Sequence, residues 1–535
     1  MPAAFLTAAL LVLAAPGVLS SRLAALFAWV AFFPLLVHLP KVTLVRAAFL
    51  GWLAGVVTTL GACAWFPGLL ARFSGLHPLV CVLVVFAIAA WQAAGWAAWA
   101  VLVRVASGAA GSSDGSHPGI RRLRAALTFV LPAAAFVVFE RWLPVIFPSS
   151  VGITQYRFPV LAQSAELGGP YVPAFLCLLF STVLARAFAA ARGSRGLPGG
   201  AISGFFALLV VLLVFGLVRL RGIDRERGAA PRFRVAAVQA GVVKTGWNTP
   251  PDDPQRLGRY QRLSAEAERD ARAVDLLVWP EKAYPFPLRS DARHDYRPDD
   301  KHRIRRGFRS PLLFGATAVD PISRRLSNSG FLLLPDGGLR DVYDKVRLIF
   351  YSERFPSWLS WLASPRTGYL PGSKFDPAPA AAPLAVFICF EATFPDHVRA
   401  LVARGGRLLV NLSDDSWFGE SAEPEQHLAH AVFRAIESRR DLVRATGSGV
   451  SAHVSAAGEI LGRTRLNRYA SEADVVLVAD ARLLDRRSFY AALGDAFCWL
   501  CVAFVVTGLV VTRCRLPILR SSRPDRERET TDGHR

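Results

Sequence analysis

The sequence predicts a membrane α-helical bundle joined to a layered α/β domain. The chain has 535 residues, is 53% hydrophobic and has a mean hydropathy of +0.33, which is too apolar for a soluble protein of this length. Apolar windows long enough to cross a bilayer fill residues 1–219 and return near 493–512. Between them, short β-rich runs alternate with polar helical stretches, which is typical of an α/β domain.

The apolar segments predict eight membrane spans, seven before the α/β domain and one after it. They cover residues 3–20, 22–39, 44–64, 78–104, 125–147, 171–189, 201–219 and 493–512. The predicted domains are a seven-helix membrane part at 1–220, an extracytoplasmic domain at 221–490, an eighth span at 491–515 and a disordered cytoplasmic tail at 516–535.

The positive charge of the chain sets its predicted orientation. The formal net charge is +21, but the Arg residues gather in loops between apolar segments and in the C-terminal tail. That distribution is typical of membrane flanks and does not favour a nucleic-acid partner. With a cytoplasmic N-terminus, loops such as the one carrying Arg121, Arg122 and Arg124 face the cytoplasm. The α/β domain is therefore predicted on the periplasmic or outer face of the inner (plasma) membrane.

One cysteine, Cys389, lies in the predicted extracytoplasmic domain, so it has no disulfide partner there. It ends the apolar run "PLAVFIC", and Glu391 follows two residues later. A lone thiol in an oxidising compartment is either buried and inert or retained for its reactivity. The surrounding polar groups must decide between these two interpretations.

Three predicted strand ends carry groups that could act together. Glu281 ends "LLVWPE", Lys345 ends "LRDVYDK" and Cys389 ends "VFIC". Taken singly, the acid and the lysine are explained as ordinary polar residues beyond a strand. Taken together, they match acyl transfer through a thiol, because a base must remove the thiol proton and a cation must stabilise the developing oxyanion.

Four motifs appear in the order found in the carbon–nitrogen hydrolase (nitrilase) superfamily. They are "VWPEKAYPF", "YDKVRLIFYSERFPSW", "FICFEATFPD" and "LLVNLSDDSWFGES". With the predicted membrane spans, and with "FPVLAQSAELGGPY" before the sixth span, the chain resembles the apolipoprotein N-acyltransferase family. The resemblance implies an α-β-β-α sandwich with a catalytic triad of Glu281, Lys345 and Cys389.

The resemblance also implies a set of supporting residues near the triad. These are Glu353, Glu391, Phe390, Trp247 and Trp417. Two positions depart from the family pattern. Phe390 stands where a tyrosine is common, and Asp414 stands where the family has an amide.

A Trp-bearing apolar segment, "FYSERFPSWLSWLASP" at 350–365, has two interpretations. It could pack into the core, or it could be an arm or lid at the membrane surface. We favour the lid, with Trp358 and Trp361 as lipid contacts, because tryptophan sits favourably at headgroup depth.

The implied reaction moves an acyl chain from a phospholipid to Cys389 and then to the N-terminal amine of a diacylglyceryl-modified apolipoprotein. No cofactor is implied, and nothing in the sequence requires more than a monomer. Two alternatives stay open: an amidase or an acyltransferase with a different acceptor on the same scaffold, and a non-catalytic membrane-tethered domain.

Four other polar residues have plain interpretations. His427 and His430 form an H-x-x-H pattern, but no further ligand set stands near them in sequence, so no metal is predicted. Glu140, beside Arg141, is either an intramembrane functional acid or half of an interfacial ion pair. Gln92 is predicted to make a helix–helix hydrogen bond.

Overall fold

A computed structural model of the chain describes residues 1–109, 118–193, 199–241, 254–270, 273–350, 353–354, 368–464 and 474–513. The N-terminal part is helical. Its α-helices are α1 (Pro2–Ala14), α2 (Phe27–Val30), α3 (Phe33–His38), α4 (Leu44–Ala62), α5 (Phe66–Ser74), α6 (Pro78–Gln92), α7 (Ala94–Ala109), α8 (Pro118–Trp142), α9 (Pro159–Ala162), α10 (Ala165–Gly168), α11 (Tyr171–Ala191) and α12 (Gly199–Ala229).

Five helical segments in the described part of the chain are long and apolar enough to cross a membrane. They are Arg22–Lys41, Leu44–Ala62, Pro78–Ser107, Tyr171–Ala191 and Gly199–Ala229. The apolar helices at Pro2–Ala14 and Ala496–Val511 are shorter. At about 1.5 Å per residue, neither reaches across a hydrocarbon core of about 30 Å. The helical membrane bundle is confirmed, but the predicted count of eight spans is not.

The α/β domain follows α12. Its strands are β1 (Arg232–Ala240), β2 (Leu276–Val278), β3 (Leu288–Arg289), β4 (Leu312–Val319), β5 (Leu326–Leu333), β6 (Leu339–Asp344), β7 (Ala378–Pro379), β8 (Pro383–Ile388), β9 (Leu408–Ser413), β10 (Leu442–Thr446), β11 (Ala452–Val454), β12 (Ile460–Arg463) and β13 (Asp474–Arg482). Its helices are α13 (Pro254–Asp270), α14 (Pro395–Ala403) and α15 (Glu423–Ser438). The chain then returns to the bundle through α16 (Phe489–Leu493) and α17 (Ala496–Arg513).

The strands form two sheets that pack face to face. One has the order β13-β1-β2-β4-β5-β6, with β3 paired to β4, and the other has the order β12-β11-β10-β9-β8-β7. Apolar side chains of both sheets share one core, including Val235 and Val386. The helix α13 packs on the outer face of the first sheet through residues such as Tyr260, while α14 and α15 cover the second sheet. These layers are the α-β-β-α sandwich that the resemblance implied.

Two local boundaries differ from the sequence pattern, which predicts one helix over 423–445 and one strand over 384–391. Helical periodicity extends over 423–445, but α15 ends at Ser438 because Arg439 adopts a left-handed conformation with φ of +52°. The strand β10 occupies the rest of that stretch. The strand predicted at 384–391 ends at Ile388, and a short 3-10 helix begins at Cys389.

Ion pairs hold the α/β domain against the bundle. Arg157, in the loop before α9, donates to Glu425 at the start of α15 at 2.5 Å. The buried Glu166 of α10 accepts hydrogen bonds from Arg219 of α12 at 2.5 Å and from Arg439 at 2.7 Å. Because a buried carboxylate requires such partners, these contacts fix the position of the sandwich on the helices.

Candidate active site

The three predicted catalytic residues lie where strands end. Glu281 comes three residues after β2, Lys345 directly follows β6 and Cys389 directly follows β8. Lys345 is fully buried, while Glu281 and Cys389 are 7% and 5% exposed. The structure therefore brings residues from both sheets to one buried place, although Glu281 and Cys389 are more than a hundred residues apart in sequence.

Lys345 joins two carboxylates. Its Nζ lies 3.3 Å from Oε1 of Glu281 and 3.0 Å from Oε1 of Glu353. The side-chain amide of Asn328, on β5, donates to the same two oxygen atoms at 2.6 and 2.9 Å. The backbone N–H of Ile349 donates to the other oxygen of Glu353 at 3.0 Å. This network holds Glu281 in one orientation beside the ammonium group.

The electrostatics keep Lys345 charged. Burial lowers the pKa of Lys345, but the carboxylates of Glu281 and Glu353 outweigh that effect, and the net shift is upward. Burial likewise raises the pKa of Glu353, yet Lys345 and Lys282 together hold it below its ordinary value. The ammonium group is therefore available to stabilise negative charge.

The electrostatics keep the Cys389 thiol protonated. Burial first, and the charge of Glu281 second, raise the pKa of Cys389 well above 9.0, while Lys345 opposes the shift. Because the thiolate is the nucleophile, a base must take this proton at the moment of attack.

The backbone at Cys389 is strained. Its φ is +52°, in the left-handed region that non-glycine residues rarely adopt. His427 of α15 donates from Nε2 to the carbonyl of Cys389 at 2.9 Å, and Arg444 donates to Nδ1 of the same imidazole at 3.0 Å. Because Nδ1 accepts from Arg444, the imidazole proton is on Nε2. The helix α15 therefore holds the backbone of Cys389 in place.

Glu391 is a structural anchor of the site and makes no contact with Lys345 itself. Its two oxygens accept four hydrogen bonds, from the backbone N–H groups of Val346, Arg347 and Ile388 and from the hydroxyl of Tyr343. His397 lies 3.5 Å away. Burial raises the pKa of Glu391, but His397 and these donors outweigh it, so the pKa lies below its ordinary value.

Aromatic side chains connect the site to the bundle. Phe390 packs edge-on against Phe147, which precedes the 3-10 turn at Val151–Gln155, with ring centroids 6.1 Å apart. Phe418 packs on Trp65 at 5.0 Å. The carbonyl of Trp417 accepts a hydrogen bond from Arg72 of α5 at 3.0 Å. The predicted supporting residues Phe390 and Trp417 thus lie at the boundary between sandwich and helices.

Three predicted site residues, Trp247, Trp358 and Trp361, lie outside the described residues, as does most of the segment 350–365. The lid interpretation therefore stays a prediction.

The structure shows the partners of two polar residues of the bundle, Glu140 and Gln92, that the sequence does not indicate. Arg141 pairs with Asp495 at 2.7 Å, so it is not the ion-pair partner of Glu140. Instead, Glu140 accepts hydrogen bonds from the N–H of Val151 at 2.7 Å and from a neighbouring serine hydroxyl. Gln92 accepts from the N–H of Phe147 at 2.9 Å rather than bridging two helices. Both side chains therefore hold the loop that carries Phe147.

A cavity of about 750 Å³ joins the bundle to the thiol. Its walls include apolar residues of the bundle, among them Leu11, Trp96 and Phe139. At the other end it reaches Cys389 and Glu281. A volume of this size accommodates a long apolar chain with its polar end at the sulfur.

A cluster of three side chains near the thiol has the donor atoms of a metal site. Asp415, Glu423 and His427 each place one potential ligand atom within 4.8 Å of the others. However, the guanidinium of Arg444 already donates to Asp415 at 2.6 Å and to His427 at 3.0 Å. The positive charge of Arg444 repels a metal cation at these atoms.

Comparisons with known proteins match both parts of the chain. The apolipoprotein N-acyltransferase N-terminal domain matches residues 7–183, and carbon-nitrogen hydrolase matches residues 234–483. The apolipoprotein N-acyltransferase of Geobacter metallireducens is 32% identical over 89% of each chain. That of Gloeobacter violaceus is 28% identical over 91% of this chain and 89% of its own. Among solved structures, an amidase from Nesterenkonia sp. is 23% identical, with a TM-score of 0.34, over 50% of this chain and 96% of its own.

The sandwich with its buried acid, lysine and thiol defines a carbon–nitrogen hydrolase domain, here attached to membrane helices. Since the similarity to a curated relative extends over nearly the whole chain, the protein belongs to the apolipoprotein N-acyltransferase family. It is therefore an acyltransferase within the carbon–nitrogen hydrolase superfamily, and the resemblance seen in the sequence is confirmed.

Some residues of the site had no clear signal in the sequence. Asn328 lies on β5 in "LSNSG", and its only hint is a polar side chain inside a strand. His427 belongs to an H-x-x-H pattern in the sequence, yet its imidazole contacts the backbone of Cys389. Lys282, beside Glu281, has no signal of its own in the sequence. It lies over the ring of Tyr369 at 4.4 Å and has a φ of +51°.

Proposed function

We propose that the protein transfers an acyl chain from a membrane phospholipid to the N-terminal amine of a diacylglyceryl-modified lipoprotein, through a thioester on Cys389. The observation that carries the proposal is the cavity that runs from the apolar interior of the helices to this thiol. A hydrolase of small soluble amides has no need for an apolar chamber inside a membrane bundle. The family relatives carry the name of this activity.

In the first half-reaction Glu281 is the general base. It takes the proton of Cys389, whose raised pKa keeps the thiol neutral until a base acts. The sulfur attacks the carbonyl carbon of the phospholipid sn-1 ester and forms the C–S bond. The C–O bond breaks, and the proton held by Glu281 passes to the departing lysophospholipid oxygen.

Lys345 stabilises the oxyanion that forms during this attack. Its ammonium group is held by Glu281 and Glu353 at 3.3 and 3.0 Å, so it is already oriented before substrate arrives. Such preorganised charge in a water-poor site lowers a barrier more than the same charge in water. The backbone N–H after Cys389 supplies a second donor.

In the second half-reaction the lipoprotein amine attacks the thioester carbonyl. Glu281 takes a proton from the attacking nitrogen and returns it to the sulfur, while the C–S bond breaks and an amide remains. Water must be kept from the thioester between the two halves, because hydrolysis would turn the enzyme into a lipase. The aromatic contact between Phe390 and Phe147 forms part of the apolar wall that serves this purpose.

The proposal also includes the location of the protein, its two substrates and its oligomeric state. We place the sandwich on the periplasmic or outer face of the inner membrane, since the basic loops fit the opposite side. The acyl donor is a phospholipid of that leaflet, the acceptor is a diacylated apolipoprotein, and the working unit is a monomer without a cofactor.

The test is direct. Purified protein is incubated with phospholipid, and intact-mass measurement follows the addition of one acyl chain to the protein. A diacylglyceryl peptide is then added, and it should gain the chain that the protein loses. The variants Cys389→Ala and Cys389→Ser should form no transferable acyl thioester. Transfer by Cys389→Ala at the normal rate would overturn the assignment. Hydrolysis of small amides without acyl transfer would favour the amidase alternative.

A further inference from the structure

Glu423 is a buried carboxyl group that the two half-reactions above do not use. It lies in the first turn of α15, is 9% exposed, and lines the same cavity as Cys389. Its Oε1 lies 3.5 Å from Nδ1 of His427. Its Oε2 is buried and has no hydrogen-bond partner among the described residues. A buried carboxyl oxygen without a partner is costly, so it indicates a place where a ligand group binds.

The groups around Glu423 do not balance the negative charge that its carboxylate form carries. Asp415 is already neutralised by Arg444, which donates to it at 2.6 Å. Burial and then Arg444 lower the pKa of His427, so this imidazole is neutral. On the bundle side the facing titratable group is Cys63, an uncharged thiol. Burial and then Asp415 raise the pKa of Glu423 well above its ordinary value, against the opposing effect of Arg444.

Glu423 is also close to the reacting centre. His427, one helical turn further along α15, donates to the carbonyl of Cys389 at 2.9 Å. Gln426 of the same turn donates to the carbonyl of Ala62, at the end of α4, at 2.9 Å. The carboxyl group therefore lies where the sandwich meets the helices, on the wall of the cavity that contains the nucleophile.

We propose that Glu423 binds the α-ammonium group of the lipoprotein acceptor and takes its proton before the amine attacks the thioester. This inference rests on the proposed function and assigns a residue to its second half. The acceptor enters as a cation, because an α-amino group has a pKa near 8 (about 7.7–8.0) and is largely protonated at neutral pH. An ammonium group beside a buried carboxyl favours the ionised carboxylate, whose proton leaves to water.

One proton of the ammonium group passes to the Glu423 carboxylate, which gives a neutral amine and a neutral carboxylic acid. Burial favours this neutral form of Glu423. The nitrogen lone pair then forms the N–C bond and the C–S bond breaks. The second nitrogen proton passes to Glu281 and from there to the sulfur of Cys389. Glu423 thus activates the amine, and Glu281 completes the exchange.

The experiment separates the two halves of the reaction in full-length protein. Wild type and Glu423→Gln are first acylated on Cys389 by phospholipid, and a diacylglyceryl peptide is then added. We expect the variant to form the acyl adduct within about twofold of the wild-type rate, whereas its transfer to the peptide slows about 100-fold, the scale of a lost general base. Glu423→Asp should restore part of the transfer. The pH profile of transfer should lose one ionisation in Glu423→Gln.

The matched control is Glu420→Gln, because Glu420 is an exposed acid three residues earlier, in the loop that precedes α15. It should transfer like wild type. Normal transfer by Glu423→Gln would overturn the inference, and so would an equal loss in both halves, since that would assign Glu423 a purely structural role. If wild type forms the adduct but never acylates the peptide, the proposed function itself fails.

Binding gives a second readout that does not depend on turnover. In a Cys389→Ala background, a peptide with a free N-terminal amine should bind more tightly than its N-acetylated form, and Glu423→Gln should remove that preference. The rival occupant is a divalent cation held with Asp415 and His427. Transfer that is unchanged by a chelator supports the ammonium site. Transfer abolished by a chelator and restored by a divalent cation would overturn it.

Discussion

Tyr343 donates its hydroxyl hydrogen to Glu391 at 2.7 Å, across the boundary between the two sheets. Tyr343 is two residues before Lys345, and Glu391 is two residues after Cys389. The same carboxylate accepts hydrogen bonds from the backbone on either side of this boundary. One buried side chain therefore sets the distance between Lys345 and Cys389.

The first prediction concerns this anchor. Glu391→Gln replaces one accepting oxygen by an NH₂ group that faces backbone N–H donors. We expect destabilisation by about 1–3 kcal/mol, because buried donors lose their acceptor. The rate of acyl-adduct formation should fall about 100-fold, since the lysine and the thiol move apart. Thermal unfolding in detergent and intact-mass kinetics measure the two effects. Tyr343→Phe, which removes one of the bonds, should show smaller losses, and an unaltered adduct rate in Glu391→Gln would contradict the anchoring role.

The second prediction concerns the charge of Lys345. In Lys345→Met, the carboxyl groups of Glu281 and Glu353 lose the ammonium group that lies between them, and Lys282 is the cation that remains near them. One of them should take up a proton, and the oxyanion loses its stabilising charge. We expect adduct formation to fall by about 10²–10³-fold, the cost of removing one oxyanion donor. The control is Lys374→Met, since Lys374 is an exposed lysine of the same domain. A normal adduct rate in Lys345→Met would remove the lysine from the mechanism.

The third prediction concerns the pH dependence of Cys389. Its pKa is raised, so the thiolate appears only at higher pH, and alkylation by iodoacetamide should be slow at neutral pH and rise above pH 9.0. Glu281→Gln removes a negative charge that contributes to the upward shift. Its alkylation profile should therefore move to lower pH, while acyl transfer is lost because the base is gone.

These two opposite effects distinguish a base from a structural acid. Cys389→Ala supplies the background from the remaining thiols, and those in the described part of the chain lie in or beside the bundle. If Glu281→Gln left both the alkylation profile and acyl transfer unchanged, Glu281 would have no role as the base.

Much of the candidate site could be predicted because its chemistry stands at strand ends. Glu281, Lys345 and Cys389 each follow an apolar run that the sequence marks clearly, and the sheets bring those ends together. Asn328 could not be predicted, because its role depends on β5 lying beside β6 in the sheet. Nor could the contact of His427 with Cys389, which depends on how α15 packs against the second sheet.

The predicted number of membrane spans is larger than the number of long apolar helices in the described part of the chain, and the difference has a physical reason. Hydrophobicity measures the preference of a segment for an apolar environment, and both a bilayer and a protein interior satisfy it. The apolar run at 3–20 therefore predicts a span, although its helix is short and ends at Ala14. Glu140 and Arg141 are adjacent in sequence, but neighbours on a helix point in different directions, and Arg141 pairs with Asp495 instead.

The last prediction concerns the acyl-binding end of the cavity. Gly95 of α7 lines the cavity, and a β-carbon there would lie 3.1 Å from Leu143 and 3.5 Å from Phe139. Gly95→Leu should therefore shorten the space for the acyl chain, and each excluded methylene loses about 0.8 kcal/mol of burial. We expect the ratio of long-chain to short-chain transfer to fall. Two phospholipids with different acyl chains compete in one reaction, and the masses of the peptide products give this ratio. The control is Gly204→Leu, because Gly204 has no atom within 4 Å of the added carbon and is exposed on the surface of α12. An unchanged chain preference in Gly95→Leu would place the acyl chain elsewhere, since a leucine at this position cannot share the space with it.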